Sequence, residues 1–562
     1  IQWPVFETQR LSDVYFSEGA NAGDVNGDGN VDVVCGPYWY EGPDFKRKHA
    51  IYEPLPQNRD RYADSFFSWI FDFNGDGHSD VLAVGFPGTP AFVYENPGVV
   101  AGKNPGAETH WKKHEVLDWV SNESPQFVDL VGDATPELVC TRDGFFGFAM
   151  VNPSEPLATW AFYPISEQIA PSRFGHGLGV GDINGDQRAD LIFSGGWFEQ
   201  PAGDPKSGRW RLHEQSFSNS YGGADMHAYD VDGDGDNDVI TSHAAHDFGL
   251  GWYEQVDEGG EPTFKHHLIM GDRPSQNAYG VVISELHSVN LADIDGDGLK
   301  DIVTGKTFWS HHRKSPMWDA DPVVYWFRLQ RTDDGVDWVP YQAASQSGIG
   351  RQLSLQDVDS DGFPDIIVGG MKGAFLLHHR RQIMSRDSWK KLTPTRYVEQ
   401  RDRSDRGELP SFSVDGKIEG AVEAEAMKVL EVSGGEVRTQ EMSAFKSGRW
   451  SGDQQLFWLR ANPRSRLTLE FEVSQEGRYE IGAVLTTARD YATINLQLDG
   501  IALGSSIDLY DYPDVKTTGL LKLGPRSLSA GKHRLMIETT GANDSAIQSF
   551  MVGLDCLVLR RD

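Results

Sequence analysis

One acidic nonapeptide recurs seven times in the first two-thirds of the chain, and a recurrence at such long intervals restricts the fold to an array or circle of similar units. Six copies are close: DVNGDGNVD from Asp24, DFNGDGHSD from Asp72, DINGDQRAD from Asp182, DVDGDGDND from Asp230, DIDGDGLKD from Asp293 and DVDSDGFPD from Asp357. The seventh, DLVGDATPE from Asp129, is degraded. The close copies run on into short β-branched stretches (VDVVCG, SDVLAVG, ADLIFSG, NDVITS, KDIVTG, PDIIVGG) that read as buried strands. Successive copies start 48 to 64 residues apart, enough for four strands per unit.

Within each copy, oxygen-bearing side chains alternate with small residues and converge on one point, which suits a hard cation that takes six to eight oxygens. The expected calcium ligands are Asp24, Asn26, Asp28 and Asp32; Asp72, Asn74, Asp76 and Asp80; Asp182, Asn184, Asp186 and Asp190; Asp230, Asp232, Asp234 and Asp238; Asp293, Asp295, Asp297 and Asp301; and Asp357, Asp359, Asp361 and Asp365. An EF-hand would need a twelfth-position Glu and flanking helices, and neither is present. Val131 and Glu137 replace two ligands in the degraded copy and put its ion in doubt.

Further strands carry aromatic-acidic signatures, Trp39-Tyr40-Glu41, Trp197-Phe198-Glu199 and Trp252-Tyr253-Glu254, and aromatic-basic ones such as Trp111-Lys112-Lys113. From about residue 10 to 400 the chain resembles the FG-GAP or VCBS repeat family. That resemblance implies a seven-bladed β-propeller with calcium between the two innermost strands of each blade. Either WPVFETQRLS at the start or WKKLTPTRYVEQ near residue 400 supplies the outer strand of the seventh blade.

The fold expected is all-β: a propeller over 1–400, a polar linker at 401–418 and a β-sandwich of the jelly-roll kind over 419–562, where alternating strands such as RLTLEFEV and ATINLQL begin. The sandwich is similar in layout to accessory carbohydrate-binding domains of secreted glycan enzymes. It is read either as a sugar-binding module presenting Trp450, Trp458, Tyr491, Tyr510 or Tyr512, or as an appendage without a ligand. A net charge of −32 argues against nucleic acid as a partner. No apolar run is long enough to span a bilayer. Cys35, Cys140 and Cys556 form no disulfide framework. Ile1 reads as the start of a mature or trimmed chain, and the calcium loops point to a secreted, periplasmic or cell-surface location.

Residues that depart from the repeat carry the chemistry. Six positions before the first loop Asp stand Glu18, Phe66, Glu123, His176, Ala224, His287 and Arg351; three before stand Asn21, Trp69, Gln126, Gly179, His227, Asn290 and Ser354. His176, His227 and His287 come from adjacent units and match the imidazole set of a catalytic divalent transition ion, with zinc the expected metal. The three-residue offset of His227 requires a bulge or twist, because side chains alternate along a strand. Loops at the same end carry Tyr38, Arg142, Asp143, His243, His246, Asp247, Lys306, His311, His312, Arg313 and Lys372.

A metal that polarises a carbonyl or carboxylate, beside a His or Tyr base, suits β-elimination from a sugar. Arg142, Lys306 and Lys372 are the candidates for holding a carboxylate or hydroxyls, His243 or His246 for the base, and Tyr38, Asp143 and His311 for neighbouring roles. The runs SEGANAGDVNGDGNVDVVCGPYWYEGPDF, GHGLGVGDINGD and MHAYDVDGDGDNDVITSHAAHDFGLGWYEQ resemble the propeller domain of the aldos-2-ulose dehydratase (1,5-anhydro-D-fructose dehydratase) family. The resemblance implies dehydration of a keto-sugar with a metal in the propeller, held by His176, His227 and His287 with His243 or His246 near the substrate. No cupin-sized insertion is present, so no isomerase activity is expected. The leading expectation is therefore a metal-dependent carbon-oxygen lyase acting on a keto-sugar or a uronate-containing glycan. The alternatives are a non-catalytic glycan-binding or adhesion propeller and a glycan hydrolase. Oligomeric state is not legible.

Overall fold

The computed structural model describes residues 1–98, 110–218, 222–256, 262–309, 311, 314–318, 320–397, 411–543 and 545–561. The chain is all-β and divides into two compact units, Ile1–Asp272 with Gln276–Arg396, and Arg273–Ser275 with Tyr397–Asp562.

The first unit contains seven successive groups of four antiparallel strands. Their leading strands are Asn21–Gly23, Phe67–Phe71, Gln126–Val128, Leu178–Gly181, Asp225–Tyr229, Val289–Ala292 and Leu353–Gln356. Five groups are separate sheets, whereas Leu178 and Gly179 pair in parallel with Asp225 and Met226 and join the fourth and fifth groups. The second strands are covered on both faces, which is why the sequence shows unbroken apolar runs there in place of alternation: Val33, Leu82, Val139, Ile192, Ile240, Ile302 and Ile367 are all buried.

Seven apolar clusters lie between neighbouring groups, each shared by two of them. One combines Ala20, Val33 and Cys35 of the first group with Val358, Ile367 and Leu376 of the seventh. Gln2–Ser12 completes the seventh group by pairing with Gly373–Ile383. The competing segment near residue 400 starts inside a helix, Arg386–Leu392, whose N-terminus is capped by Ser385 Oγ accepting from Ser388 N. Residues 398–400 of that segment lie outside the described residues.

In the repeated loop, the first carboxylate closes the turn on itself: Asp24 accepts from the backbone of Gly27, Asp28 and Gly29. Gly27 and Gly29 have φ of 68° and 84°, a region in which a side chain would be strained. The ninth carboxylate is a clip. Asp301 accepts from Ile294 N at 3.0 Å in its own loop and from Leu329 N at 2.9 Å in the third strand. Asp32, Asp80, Asp190, Asp238 and Asp365 make the equivalent pairs of bonds. Glu137 of the degraded copy keeps the loop half, accepting from Leu130 N and Val131 N.

The second unit packs a seven-stranded and a five-stranded antiparallel sheet around one apolar core. Trp458, Leu467, Leu485 and Ile537 lie in that core. The aromatics offered as a sugar platform are mostly internal. Trp450, Trp458, Tyr491 and Tyr510 are buried, with Trp450 Nε1 donating to Thr486 Oγ1 and Trp458 Nε1 to Gly434 O. Tyr512 is partly exposed. Residues 401–410 of the expected linker lie outside the described residues, and Ile418 at its end packs with Val484, Cys556 and Val558. All three cysteines are buried and free.

The clip geometry gives a direct expectation. Asp301→Ala strands two buried N–H groups, each costing about 1–3 kcal/mol. Urea denaturation should show a loss of roughly 2–6 kcal/mol, while the exposed Asp333→Ala stays near wild type.

Candidate metal centre and adjoining pocket

Residues six before each loop meet where the leading strands begin. Glu123, His176 and His287 come together there, and His246 joins them from the loop after the fifth group's second strand. One ligand atom from each of the four lies within 4.8 Å of the other three. His176 Nε2 and His246 Nε2 are 3.0 Å apart, close to the separation of about 3.3 Å that two nitrogens have on a tetrahedral ion with bonds of about 2.0–2.1 Å.

The imidazoles are prepared as neutral donors. Burial pushes His176 down to about 3, with the charges of Arg351 and His311 adding. Burial does the same to His246, also to about 3, assisted by His176 and His311, and drives His287 well below its ordinary value. His287 Nδ1 lies 3.1 Å from Thr307 Oγ1 and 3.3 Å from Glu285 O, so its proton sits on Nδ1 and the Nε2 lone pair is left for a ligand. Nε2 itself is buried without a hydrogen-bond partner among the described residues. Glu123 Oε2 stands 3.7 Å from His176 Nε2 and accepts from Arg351 Nε at 3.1 Å. The donor set therefore fits a divalent transition ion.

A second acid-histidine group borders the first. Glu285 Oε2 is 3.5 Å from His311 Nδ1 and 3.7 Å from His287 Nδ1. The His311 ring lies 3.5 Å from that of His246, centre to centre. Glu285 and His311 hold φ of 65° and 50°, a costly backbone region for such residues and one that recurs at functional sites. His176, His246 and His311 line one side of a pocket of about 630 Å³. Its other walls are Tyr62, Phe86, Phe146, Ile169, Phe174 and Phe193, with Asn122, Thr141 and Ser194 as polar lining.

His227 is not brought into this set. Its Nε2 donates to Val289 O at 2.6 Å on the next leading strand. Asn21 donates likewise to Ser68 O, Asn290 to Leu353 O and Ser354 to Ala20 O. Four of the seven residues three before the loop thus clasp neighbouring groups, and His227 is one of them; it does not join the cluster of His176, His246 and His287.

His243 is also elsewhere, with Nε2 3.0 Å from His266 Nε2, and burial pushes it down to about 4. Arg142 pairs with Asp118 at 2.9 Å and with Asp143 at 3.6 Å. Lys306 is buried with Nζ 3.3 Å from Ser284 Oγ. Lys372 lies over Phe308, and Tyr38 packs against Phe16 beneath Lys48. His312 and Arg313 lie outside the described residues. None of the described residues lining the pocket is Lys or Arg, so a carboxylate held by Arg142, Lys306 or Lys372 is not what the geometry provides. Glu285 was missed by sequence reasoning, although its place two residues before His287 was a usable signal.

In the loops, the carboxylates of Asp230, Asp232 and Asp234 lie within 4.8 Å of one another, as do those of Asp293, Asp295 and Asp297, and of Asp357, Asp359 and Asp361. In the copies with Asn at the third position, Asn26, Asn74 and Asn184 bond to Asp28, Asp76 and Asp186. Burial, with Asp295 and Asp297 adding, pushes Asp301 up to about 8, a charge conflict that a calcium ion among those oxygens would relieve.

No family model matches the chain, and no curated protein matches it. Among solved structures, an exo-β-1,3-galactanase from Phanerochaete chrysosporium aligns with 99% of this chain and all of its own at 10% identity, with a TM-score of 0.26. A lectin from Agrocybe aegerita that recognises non-reducing terminal N-acetylglucosamine covers 61% of this chain and 81% of its own at 15% identity, with a TM-score of 0.33. A family 35 carbohydrate-binding module from Clostridium thermocellum covers 25% of this chain and 97% of its own at 18% identity, with a TM-score of 0.17. Likenesses this distant carry no argument about activity.

Elemental analysis of the protein reconstituted with zinc should give one tightly held ion that is lost in His176→Ala, His246→Ala and His287→Ala. His227→Ala should keep the ion and lower the Tm instead, since it removes a buried clasp worth about 1–3 kcal/mol.

Proposed function

We propose that the first unit is a closed seven-bladed propeller of the FG-GAP or VCBS kind, and that it is a metal-dependent carbon-oxygen lyase acting on a neutral keto-sugar. The observation that carries this reading is the convergence of three neutral imidazoles and Glu123 on the wall of a pocket, with the Glu285–His311 pair beside them. His176, His246 and His287, with Glu123, would hold the ion, for which zinc is our choice. Bound there, such an ion supplies Lewis-acid polarisation of a carbonyl oxygen.

The protein's own residues supply the rest. His311 takes the proton from the carbon next to the carbonyl, and Glu285 against Nδ1 orients the ring and balances the imidazolium. The C–H electron pair becomes the new C=C bond as the C–O bond on the following carbon breaks. The oxygen departs with that bond's electrons and takes a proton from His311 or from water. The apolar pocket walls limit water at the site, which favours elimination over hydrolysis. A keto-sugar is preferred over a uronate because the described pocket wall lacks any cationic side chain. Hydrolysis by two carboxylates is disfavoured, since Glu123 is tied to Arg351 and Glu285 faces His287 and His311. Calcium in the repeated loops fits a chain that works outside the cytosol.

Incubation of the zinc-loaded protein with 3-keto-glycosides and aldos-2-uloses should produce the ultraviolet absorbance of a conjugated enone. His311→Ala should cut that rate by about 10²–10⁴-fold while retaining the metal. Release of reducing sugar without the absorbance would instead identify a hydrolase. Treatment with a calcium-selective chelator should lower the Tm, reversibly on adding calcium, and leave the histidine-bound ion in place.

A further inference from the structure

The pocket changes character with distance from the metal centre. Beside the histidines it offers Asn122, Thr141 and Ser194, groups that hydrogen-bond hydroxyls. A continuous aromatic path leads away from them. Tyr62 contacts His311 edge-on at 6.0 Å between ring centres, Phe86 lies 5.5 Å from Tyr62, and Phe174 lies 5.4 Å from Phe86. Ile169 continues this wall, and Phe146 and Phe193, 4.6 Å apart, belong to the same lining.

The path ends in exposed apolar side chains. Phe174 is 44% exposed and Ile169 49% exposed, so neither is explained by core packing. Phe174 also holds φ of 63°, which is rare for a bulky residue. Two things keep it there: Phe174 N donates to Ser121 O, and the Arg173 guanidinium sits 5.0 Å from the Phe174 ring and 5.1 Å from Phe86 while bonding Pro87 O. A side chain displayed at backbone cost, on the rim of a 630 Å³ pocket, is arranged for a ligand.

The hydrogen-bonding side chains of the lining lie beside the histidines, whereas the outer wall is made of Tyr62, Phe86, Phe174 and Ile169, with Arg173 engaged by Pro87 O, a surface that matches an apolar group more closely than further hydroxyl-bearing rings. We infer that the substrate is a keto-glycoside with an apolar, preferably aromatic, aglycone: the sugar lies against the histidine centre and the aglycone against Tyr62, Phe86, Phe174 and Ile169. The inference rests on the sugar-lyase reading of the same pocket and names its substrate class.

The test uses inert glycosides, so that binding is read without turnover and independently of whether elimination occurs. Calorimetric titration of the zinc-loaded full chain would compare phenyl with methyl β-glycosides of glucose and galactose, together with cellobiose. For the sugar that binds, the phenyl glycoside should bind about 5–20-fold tighter than the methyl glycoside. Cellobiose should gain nothing over methyl glucoside. Phe174→Ala should reduce the phenyl preference to less than about threefold, and Ile169→Asn should weaken it in the same direction; both positions are exposed, and a Tm close to wild type in each variant checks that the fold is kept. Cellobiose binding as tightly as the phenyl glycoside, a preference unchanged in both variants, or no binding by any glycoside would overturn the inference. A retained phenyl preference without any enone product would count against the lyase reading alone.

Discussion

Asn21, His227, Asn290 and Ser354 each donate to a backbone carbonyl of the next group, a repeated clasp that ties the fifth, sixth, seventh, first and second groups into one run. A four-stranded sheet on its own has no reason to aim a particular side chain at its neighbours. Once neighbouring groups are tied edge to edge, the polar residues six before the loop come close to one another, whereas Phe66 and Ala224 at the same position join the apolar clusters between groups. His287 and Arg351 come from the clasped groups, while Glu123 and His176 are brought in by other bonds: Glu123 N donates to Gly175 O beside His176, and the fourth group pairs directly with the fifth. The seventh group is held to the first by the Ser354 bond to Ala20 O, and the chain's own start, Gln2–Ser12, completes that seventh group against Gly373–Ile383.

The nonapeptide does two jobs at the opposite end of each leading strand. Its first, third and fifth side chains gather oxygen donors at the surface, while its ninth is buried as a clip between loop and third strand. Glu137 keeps its loop bonds in a copy whose third position has become Val131. Buried carboxylates packed beside other carboxylates are costly without a counter-charge, so a cation bound in these loops would be coupled to the rigidity of the sheets, and through the sheets to the positions of the imidazoles.

Much of this was legible in the sequence because the repeat sets a register. Counting back from the first loop Asp identified the band that holds His176 and His287, and the loops after the second strands pointed to His246 and His311. The same counting failed for His227, because a histidine in a strand register reads identically whether it faces a metal or a neighbouring carbonyl; only the partner distinguishes them. Arg142, Lys306 and Lys372 failed for a related reason. Loop position says that a charge lies at one end of the unit, and Asp118, Ser284 and Phe308 decide where it points. Phe174 depends on a positive φ, which no residue pattern announces, whereas Glu285, also at positive φ, could have been found from its place two residues before His287. In the second unit, the burial of Trp458 follows from which face of its strand is inward, a matter of one residue in register.

The central claim is that His176, His246 and His287 share one ion. X-ray absorption at the zinc edge of the calcium- and zinc-loaded protein, recorded for wild type and for His227→Ala, tests it most directly. The account predicts three imidazole nitrogens at about 2.0–2.1 Å in both proteins. A spectrum dominated by carboxylate or water oxygens, or one that loses an imidazole in His227→Ala, would contradict it.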